Sequence, residues 1–360
     1  MSKSSNDTDA YIVKRAQRIA ENSLRACETF DGIIAGTHHF VDLWARDSLF
    51  ATFGSATTTA KRTIETFLQH QKDDGCIPYR IFRRGRIIVS NFRSIQSGGL
   101  VPDGGLMTVI ASAEYERRSR DTGFMKVHKA QLKKAMGWYE KRFGDNLIRE
   151  WFQCEWADAV LKVGNTLYTN ILYWRALGDI GDRVLQEKIG RKLNEKLWNG
   201  TYFSDWFDWG RQDYFAVHPN MLAIIFGLAT KKQTESILTV AKKTCWNGWA
   251  LEENYPRYPW WRIPIGNYLV GMADYHNRGC IWLQPGILYA VALYKHNKIH
   301  ESRKVLAAIA QKIIEYNGVY EVYEKSGKPV RRIFYRSEGP FAWSAGLFLF
   351  ACRVVHGSNR

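Results

Sequence analysis

The feature that most constrains this chain is an alternation of two kinds of helical segment. One kind is apolar nearly all round, as in NMLAIIFGLA (Asn220–Ala229), IWLQPGILYAVALY (Ile281–Tyr294) and PFAWSAGLFLFAC (Pro340–Cys352). The other kind carries one apolar stripe at helical spacing, such as Ile189, Leu193 and Leu197, or Leu306, Ile309, Ala310, Ile313 and Ile314. A helix that is apolar on every side must be enclosed by protein, whereas a striped helix faces water on its other side. The pattern therefore predicts an inner layer of helices backed by an outer one.

Six inner segments begin near Asp47, Asp103, Gly164, Pro219, Cys280 and Pro340. Striped partners follow five of them, near residues 57–71, 123–143, 183–198, 231–243 and 299–316. The sixth partner is missing at the C-terminus. The N-terminal helix, roughly 9–27 with Ile12, Ala16, Ile19, Ala20 and Leu24 on one face, can supply it. Six hairpins closed by their first helix describe an all-α (α/α)6 toroid. An open solenoid would need polar caps at both ends, and the last helix here is apolar all round. One catalytic domain over residues 1–360 is expected, with residues 1–8 as a flexible tail.

The segments leading into inner helices are long: 28–46, 72–102, 144–163, 199–216, 244–279 and 317–339. Loops of such length are usually functional. All must lie at one end of the ring, and short β-hairpins are expected among them. Six positive helix ends converge there, which favours carboxylates around a central pit. The candidates at that rim are Trp44, Arg46 and Asp47, Tyr79 and Arg80, Asp103, Trp156 and Asp158, Asn220, His276, Asn277 and Trp282, Glu321, and Trp343. Trp faces stack on sugar rings, and Asp, Arg and Asn hold hydroxyls by paired hydrogen bonds. A carbohydrate is the ligand this mixture suits.

Charge and cysteine usage narrow the partners. Lys and Arg number 51 against 35 Asp and Glu, a net charge of +16. That balance favours anionic partners, including an anionic glycan. The basic residues are spread, with Lys126, Lys129, Lys133 and Lys134 on one helix and Arg83, Arg84 and Arg86 on a loop or hairpin. No nucleic-acid motif accompanies them, so nucleic acid is not the expected partner. The six cysteines show no C-x-x-C spacing and read as free thiols of a reducing compartment. The N-terminus lacks the apolar core of a signal peptide, and no apolar stretch is long enough to span a bilayer. A cytoplasmic protein without a membrane partner is expected. No metal-ligand cluster or phosphate-binding glycine motif stands out, so neither metal nor cofactor is expected. No oligomeric state is implied.

The order of six short motifs resembles a known family. W-x-R-D-S (Trp44–Ser48), D-G-C-I-P-Y-R (Asp74–Arg80), W-A-D-A (Trp156–Ala159), V-H-P-N (Val217–Asn220), Y-H-N-R-G-x-I-W (Tyr275–Trp282) and E-V-Y-E…F-A-W-S-A-G (Glu321–Gly346) follow one another. Over residues 38–352 the chain resembles the (α/α)6 glycosidases, above all the amylo-α-1,6-glucosidase domain of glycogen debranching enzymes and the neutral/alkaline invertases. The resemblance implies a glycoside hydrolase using two carboxylates on an α-glucoside, an α-glucan or a sucrose-like substrate, with inversion. Asp158 matches the family's general acid and Glu321 its second carboxylate, while Glu324 and Glu338 are close rivals of Glu321. Arg46 and Asp47 match the motif lining the innermost sugar site. Asp103, His276, Asn277, Trp282 and Trp343 match other pocket positions. Trp151, Phe152 and Trp156 are expected to wall Asp158 with apolar surface.

Two departures bear on substrate. Tyr168 stands where relatives have a Glu at the start of the third inner helix, with Asn170 at the amide position. The +16 charge is also unusual for an enzyme acting on a neutral glucan. A catalytically silent sugar-binding protein and a glycoside phosphorylase are the alternatives on the same fold.

Overall fold

The computed structural model describes residues 5–84 and 87–357. Arg86, expected on a basic loop or hairpin, and residues 1–4 of the expected tail lie outside the described residues. The chain is mostly helical. In order, its helices are α1 (Ser5–Ala26), α2 (Ala45–Ala51), α3 (Thr57–Gln69), α4 (Asp103–Ser119), α5 (Phe124–Val127), α6 (Lys129–Phe143) and α7 (Leu167–Asp179). There follow α8 (Arg183–Leu197), α9 (Val217–Phe226), α10 (Lys231–Thr244), α11 (Ile265–Leu269), α12 (Leu283–Lys295), α13 (Ile299–Glu315) and α14 (Ala342–His356).

The apolar helices contact one another in a cycle: α2 meets α4, then α7, α9, α12 and α14 in turn, and α14 returns to α2. Striped helices back them, α3 against α4, α8 against α7 and α13 against α12. α1 lies on α13 and α14, the place left open by the missing sixth partner. Its Val13, Ala16, Ala20 and Leu24 are buried at helical spacing. Residues 5–8, expected in the tail, belong instead to α1.

Closure depends on two glycines. A Cβ on Gly54, just past α2, would fall 2.0 Å from the Gly346 carbonyl oxygen of α14. One on Gly346 would fall 2.5 Å from the Ala51 backbone. Only glycine lets the first and last inner helices approach this closely.

Two inner helices start later than expected, for a shared reason. Short strands occupy Asn165–Thr166 and Cys280–Trp282, so α7 and α12 begin only after them. The strands form because a pre-helix segment pairs antiparallel with the following rim loop. Leu43–Trp44 pairs with Arg80–Arg84, Asn165–Thr166 with Trp206–Phe207, Phe215–Ala216 with Asn254–Tyr255, and Cys280–Trp282 with Val322–Glu324. A bridge between Gly36 and Phe341 adds a link between the loops before α2 and α14. The rim loops are thus tied into a hydrogen-bonded belt. α9 begins at Val217, two residues before Pro219, because proline is tolerated in a first turn whose N–H groups have no helical partner.

Candidate active site

The belt brings the sequence motifs to one cavity. In the antiparallel pairing of Cys280–Trp282 with Val322–Glu324, Trp282 lies opposite Val322. That register sets Glu321 beside the 275–282 segment. Leu43–Trp44 delivers Arg46 and Asp47 into the first turn of α2. A cavity of about 100 Å³ is lined by Trp44, Arg46, Asp47, Trp156, Asp158, His276, Trp282, Glu321 and Trp343, together with Phe40, Gln96, Tyr275 and Phe341.

Asp158 lies in a turn well before α7, whose N-cap is Thr166, so it caps no helix. About a third of its side chain is exposed. Burial of its surroundings pushes its carboxyl up to about 6, with the charge of Arg46 opposing. The nearest base is the His276 Nε2, 3.7 Å from Oδ1 and too far for a hydrogen bond. His276 stacks on Trp282, with ring centroids 4.8 Å apart, and its Nδ1 lies 3.0 Å from the Glu253 Oε2. Burial holds His276 neutral and raises Glu253 well above the usual carboxylate range. The apolar wall beside Asp158 comes from Trp156 and Trp282. Trp151 is turned to solvent and packs on Phe152, so neither supplies the wall expected of it.

Glu321 is fully enclosed. The hydroxyl of Tyr275 donates to its Oε1, that of Tyr335 to its Oε2, and the Glu338 backbone N–H reaches Oε2 at 3.3 Å. Burial raises its carboxyl to about 7 in spite of the two tyrosine hydrogen bonds, which favour the ionised form. Its rivals are committed elsewhere. Glu324 pairs with Arg332 through both oxygens. Glu338 accepts the backbone N–H groups of Thr37 at 3.0 Å, His38 at 2.9 Å and His39 at 2.5 Å. Burial alone would raise the Glu338 carboxyl, but these bonds outweigh it and hold it low. Neither rival lines the cavity.

Arg46 is the one cation on the cavity wall among the described residues. Its Nη1 meets the Asp103 Oδ2 at 2.8 Å. Burial opposes its charge, but Asp103 outweighs that and keeps it protonated. Burial, with smaller help from the charges of Asp103 and Asp158, raises Asp47 to about 6 against the charge of Arg46.

Five sequence candidates do not reach the wall. Asp103 is buried behind Arg46 and acts on the site through it. Asn220 spends its amide on the backbone of Phe203 and Ala216, and Asn277 spends its own on Tyr258. Arg80 pairs with Asp42 and lies over the Trp44 ring, and Tyr79 packs against the same ring. Short polar side chains at helix starts serve backbone groups as readily as ligands, which is why sequence order did not separate them. Asn170 likewise holds the backbone of Ile148 and Thr166, and Tyr168 lies fully buried against His218. Sequence reasoning missed Tyr275 and Tyr335, the two hydroxyls that hold Glu321. Tyr275 stands directly before His276 in a motif already singled out, and that adjacency was the available signal.

No protein-family model and no curated protein matches the chain. Solved structures do. A mannosylglycerate hydrolase of glycoside hydrolase family 63 from Thermus thermophilus, in complex with Tris, superimposes with a TM-score of 0.70 at 13% identity, over 93% of this chain and 99% of that one. A wild-type glycosidase gives 0.70 at 12% identity, covering 99% of both chains. A rhamnosidase from Klebsiella oxytoca with rhamnose bound gives 0.68 at 12%, over 96% of this chain and 64% of that one. The fold is that of the six-hairpin glycoside hydrolases. At this level of identity the likeness establishes the fold and leaves the chemistry to the site.

All six cysteines are free and buried. Among the described residues no cluster of three or more His, Cys, Asp or Glu is placed to hold a metal ion, and no helix is long and apolar enough to cross a membrane.

Proposed function

We propose that this chain is an (α/α)6 glycoside hydrolase in which Asp158 protonates the leaving oxygen and Glu321 acts from the other side of the sugar. The observation that carries the reading is that both carboxyls line one small cavity with four tryptophans, Arg46 and Asp47. The cyclic contacts of the six inner helices support the toroid. Glycoside cleavage needs a proton on the departing oxygen and a carboxylate opposite it. Burial supplies the raised carboxyl that an acid needs near neutral pH. The two tyrosine hydroxyls fix the Glu321 plane, so its free lone pairs point one way.

The cavity, at about 100 Å³, is well below the roughly 300–1,000 Å³ typical of ligand pockets, and suits one terminal sugar ring. Neighbours of the same fold were solved with glucose and with rhamnose, which supports a hexose. Three raised carboxyls against one paired arginine disfavour an acidic ring, so a neutral hexose is the reading for this subsite. The resemblance of the motifs makes an α-glucoside the first choice and inversion the expected outcome.

The test is incubation with a panel of α-glucosides, sucrose, limit dextrins and glycosides of other hexoses, with chromatography of released sugar and NMR of the first anomer formed. Release of a hexose without added phosphate supports hydrolysis. Dependence on phosphate assigns a phosphorylase, and tight binding without turnover assigns a sugar-binding protein.

A further inference from the structure

Half of the exposed large hydrophobic side chains among the described residues fall in three rim segments. Trp209 is 97% exposed at one turn, and Ile333 and Phe334 are 93% and 71% exposed at another. Between them, the segment 255–272 exposes Trp260, Trp261, Ile265 and Leu269. The three are tied together. Arg262 reaches Asp208, beside Trp209, at 3.8 Å. Arg332 donates to the Gly271 carbonyl at 2.6 Å and so joins the Ile333 turn to the end of the middle segment. The result is a ridge of three linked segments with exposed apolar tips, and it adjoins the site, since Tyr335 of the same turn as Ile333 holds Glu321.

Among the described residues, acidic groups touch the ridge only where they are paired with its arginines, Asp208 with Arg262 and Asp274 and Glu324 with Arg332, and the two longer segments carry cations alone. Residues 255–272 and 328–336 include Arg257, Arg262, Lys328, Arg331, Arg332 and Arg336 and contain no Asp or Glu. Arg331 and Arg336 are exposed, and neither has a carboxylate partner among the described residues. Clustered exposed apolar side chains, unlike singly scattered ones, mark interaction surfaces.

We propose that this ridge docks the protein peripherally on an anionic lipid surface. Tryptophans and aliphatic tips set among arginines are the chemistry of interfacial insertion, in which apolar groups enter the headgroup boundary and cations meet anionic lipids. A glycan platform needs rings, and it gives no role to Ile265, Leu269 or Ile333. A second copy of this chain docked on the same face would bring the unpaired Arg331 and Arg336 of the two copies together. The inference does not depend on the proposed hydrolase chemistry, because it rests on surface residues outside the cavity wall.

The experiment is cosedimentation with extruded vesicles of phosphatidylcholine alone and of phosphatidylcholine with phosphatidylglycerol, at low and high salt. Two variants accompany the wild type, Trp261→Ser/Leu269→Ser and Arg331→Glu/Arg336→Glu, each checked for unchanged circular dichroism. The wild type is expected to bind the anionic vesicles, with a blue shift of tryptophan emission and loss of binding in high salt. Each variant should lose at least about tenfold in affinity. The proposal is overturned if the wild type ignores anionic vesicles or if both variants bind as it does. It is equally overturned if sedimentation velocity shows a dimer that the Trp261→Ser/Leu269→Ser variant dissociates, which makes the ridge a contact between copies.

Discussion

Asp158 and Glu321 come from the loops before the third and sixth inner helices and line the same cavity of about 100 Å³. The two differ in support. Glu321 is clamped by three hydrogen bonds, whereas Asp158 has no hydrogen-bonded side-chain partner at close range among the described residues and is partly open. A rigid acceptor and an accessible proton donor are what the proposed division of labour requires. Asp158→Asn and Glu321→Gln should each lower kcat by about 100- to 10,000-fold, with far-UV circular dichroism unchanged. Full turnover in either variant removes that residue from the mechanism.

The raised carboxyls set a narrow pH window. Asp158 must hold its proton and Glu321 must lose its own, yet with values near 6 and 7 respectively a single shared proton rests mostly on Glu321, so the productive form is the minor of the two singly protonated forms and is most populated between those values. A bell-shaped profile of kcat/KM with limbs close to those values is expected, and Asp158→Asn should erase one limb from the residual rate. A broad plateau from pH 5 to 9 contradicts the pairing.

The same burial makes Glu321 costly to the fold. The unfolded chain releases this proton near 4.5 and the folded chain near 7. Between those values the folded state binds more protons, so its stability falls as pH rises. Above about pH 7 the whole penalty is present; below about 4.5 it is gone. Glu321→Gln should therefore be more stable than wild type at pH 8, on the order of 1–3 kcal/mol, and nearly equal at pH 4. Urea unfolding at the two pH values measures the difference. Equal stability at both would show that the tyrosine hydrogen bonds cancel the burial.

Much of this was legible in sequence because it repeats. The alternation of all-round apolar and striped helices follows directly from burial on two sides or one. Motif order alone placed Trp44, Arg46, Asp47, Trp156, Asp158, His276, Trp282, Glu321 and Trp343, and all of them reach the cavity wall. What sequence could not separate was direction. Asn220 and Asn277 sit in the right loops, yet their amides point at backbone, a choice fixed by tertiary neighbours some 17 to 19 positions away. Short hairpins were expected in the rim loops, but which residues pair was hidden. Two or three residues carry no periodicity, and Cys280–Trp282 pairs only because Val322–Glu324 arrives beside it.

Arg46 and Asp103 form a pair whose removal should divide stability from function. Both are largely buried, and taking one partner away leaves the other charge unmatched. Arg46→Ala should cost about 3–5 kcal/mol of stability. Arg46→Lys keeps the charge but not the planar fork and should raise KM more than it lowers stability. The double variant Arg46→Met/Asp103→Leu should recover most of the stability lost in Arg46→Ala while remaining inactive. Recovery of activity in the double variant would mean that Arg46 merely holds α4 in place.

Gly346 offers the sharpest test of ring closure, because helix propensity and packing give opposite signs there. It lies inside α14, where alanine is normally favoured over glycine by about 1 kcal/mol. Here an added Cβ meets the Ala51 backbone at 2.5 Å, and that neighbour is main chain rather than a flexible tip. Gly346→Ala must push α14 away from α2 and should destabilise by about 1–3 kcal/mol, with a larger loss for Gly346→Val. The displacement also tilts Trp343, three residues earlier on the same helix, away from Arg46, whose guanidinium lies 5.9 Å from its ring centroid. Activity should fall in step with stability, and thermal melts read beside turnover would show it. A stabilised Gly346→Ala would mean that α2 and α14 are not in the contact that closes the cycle.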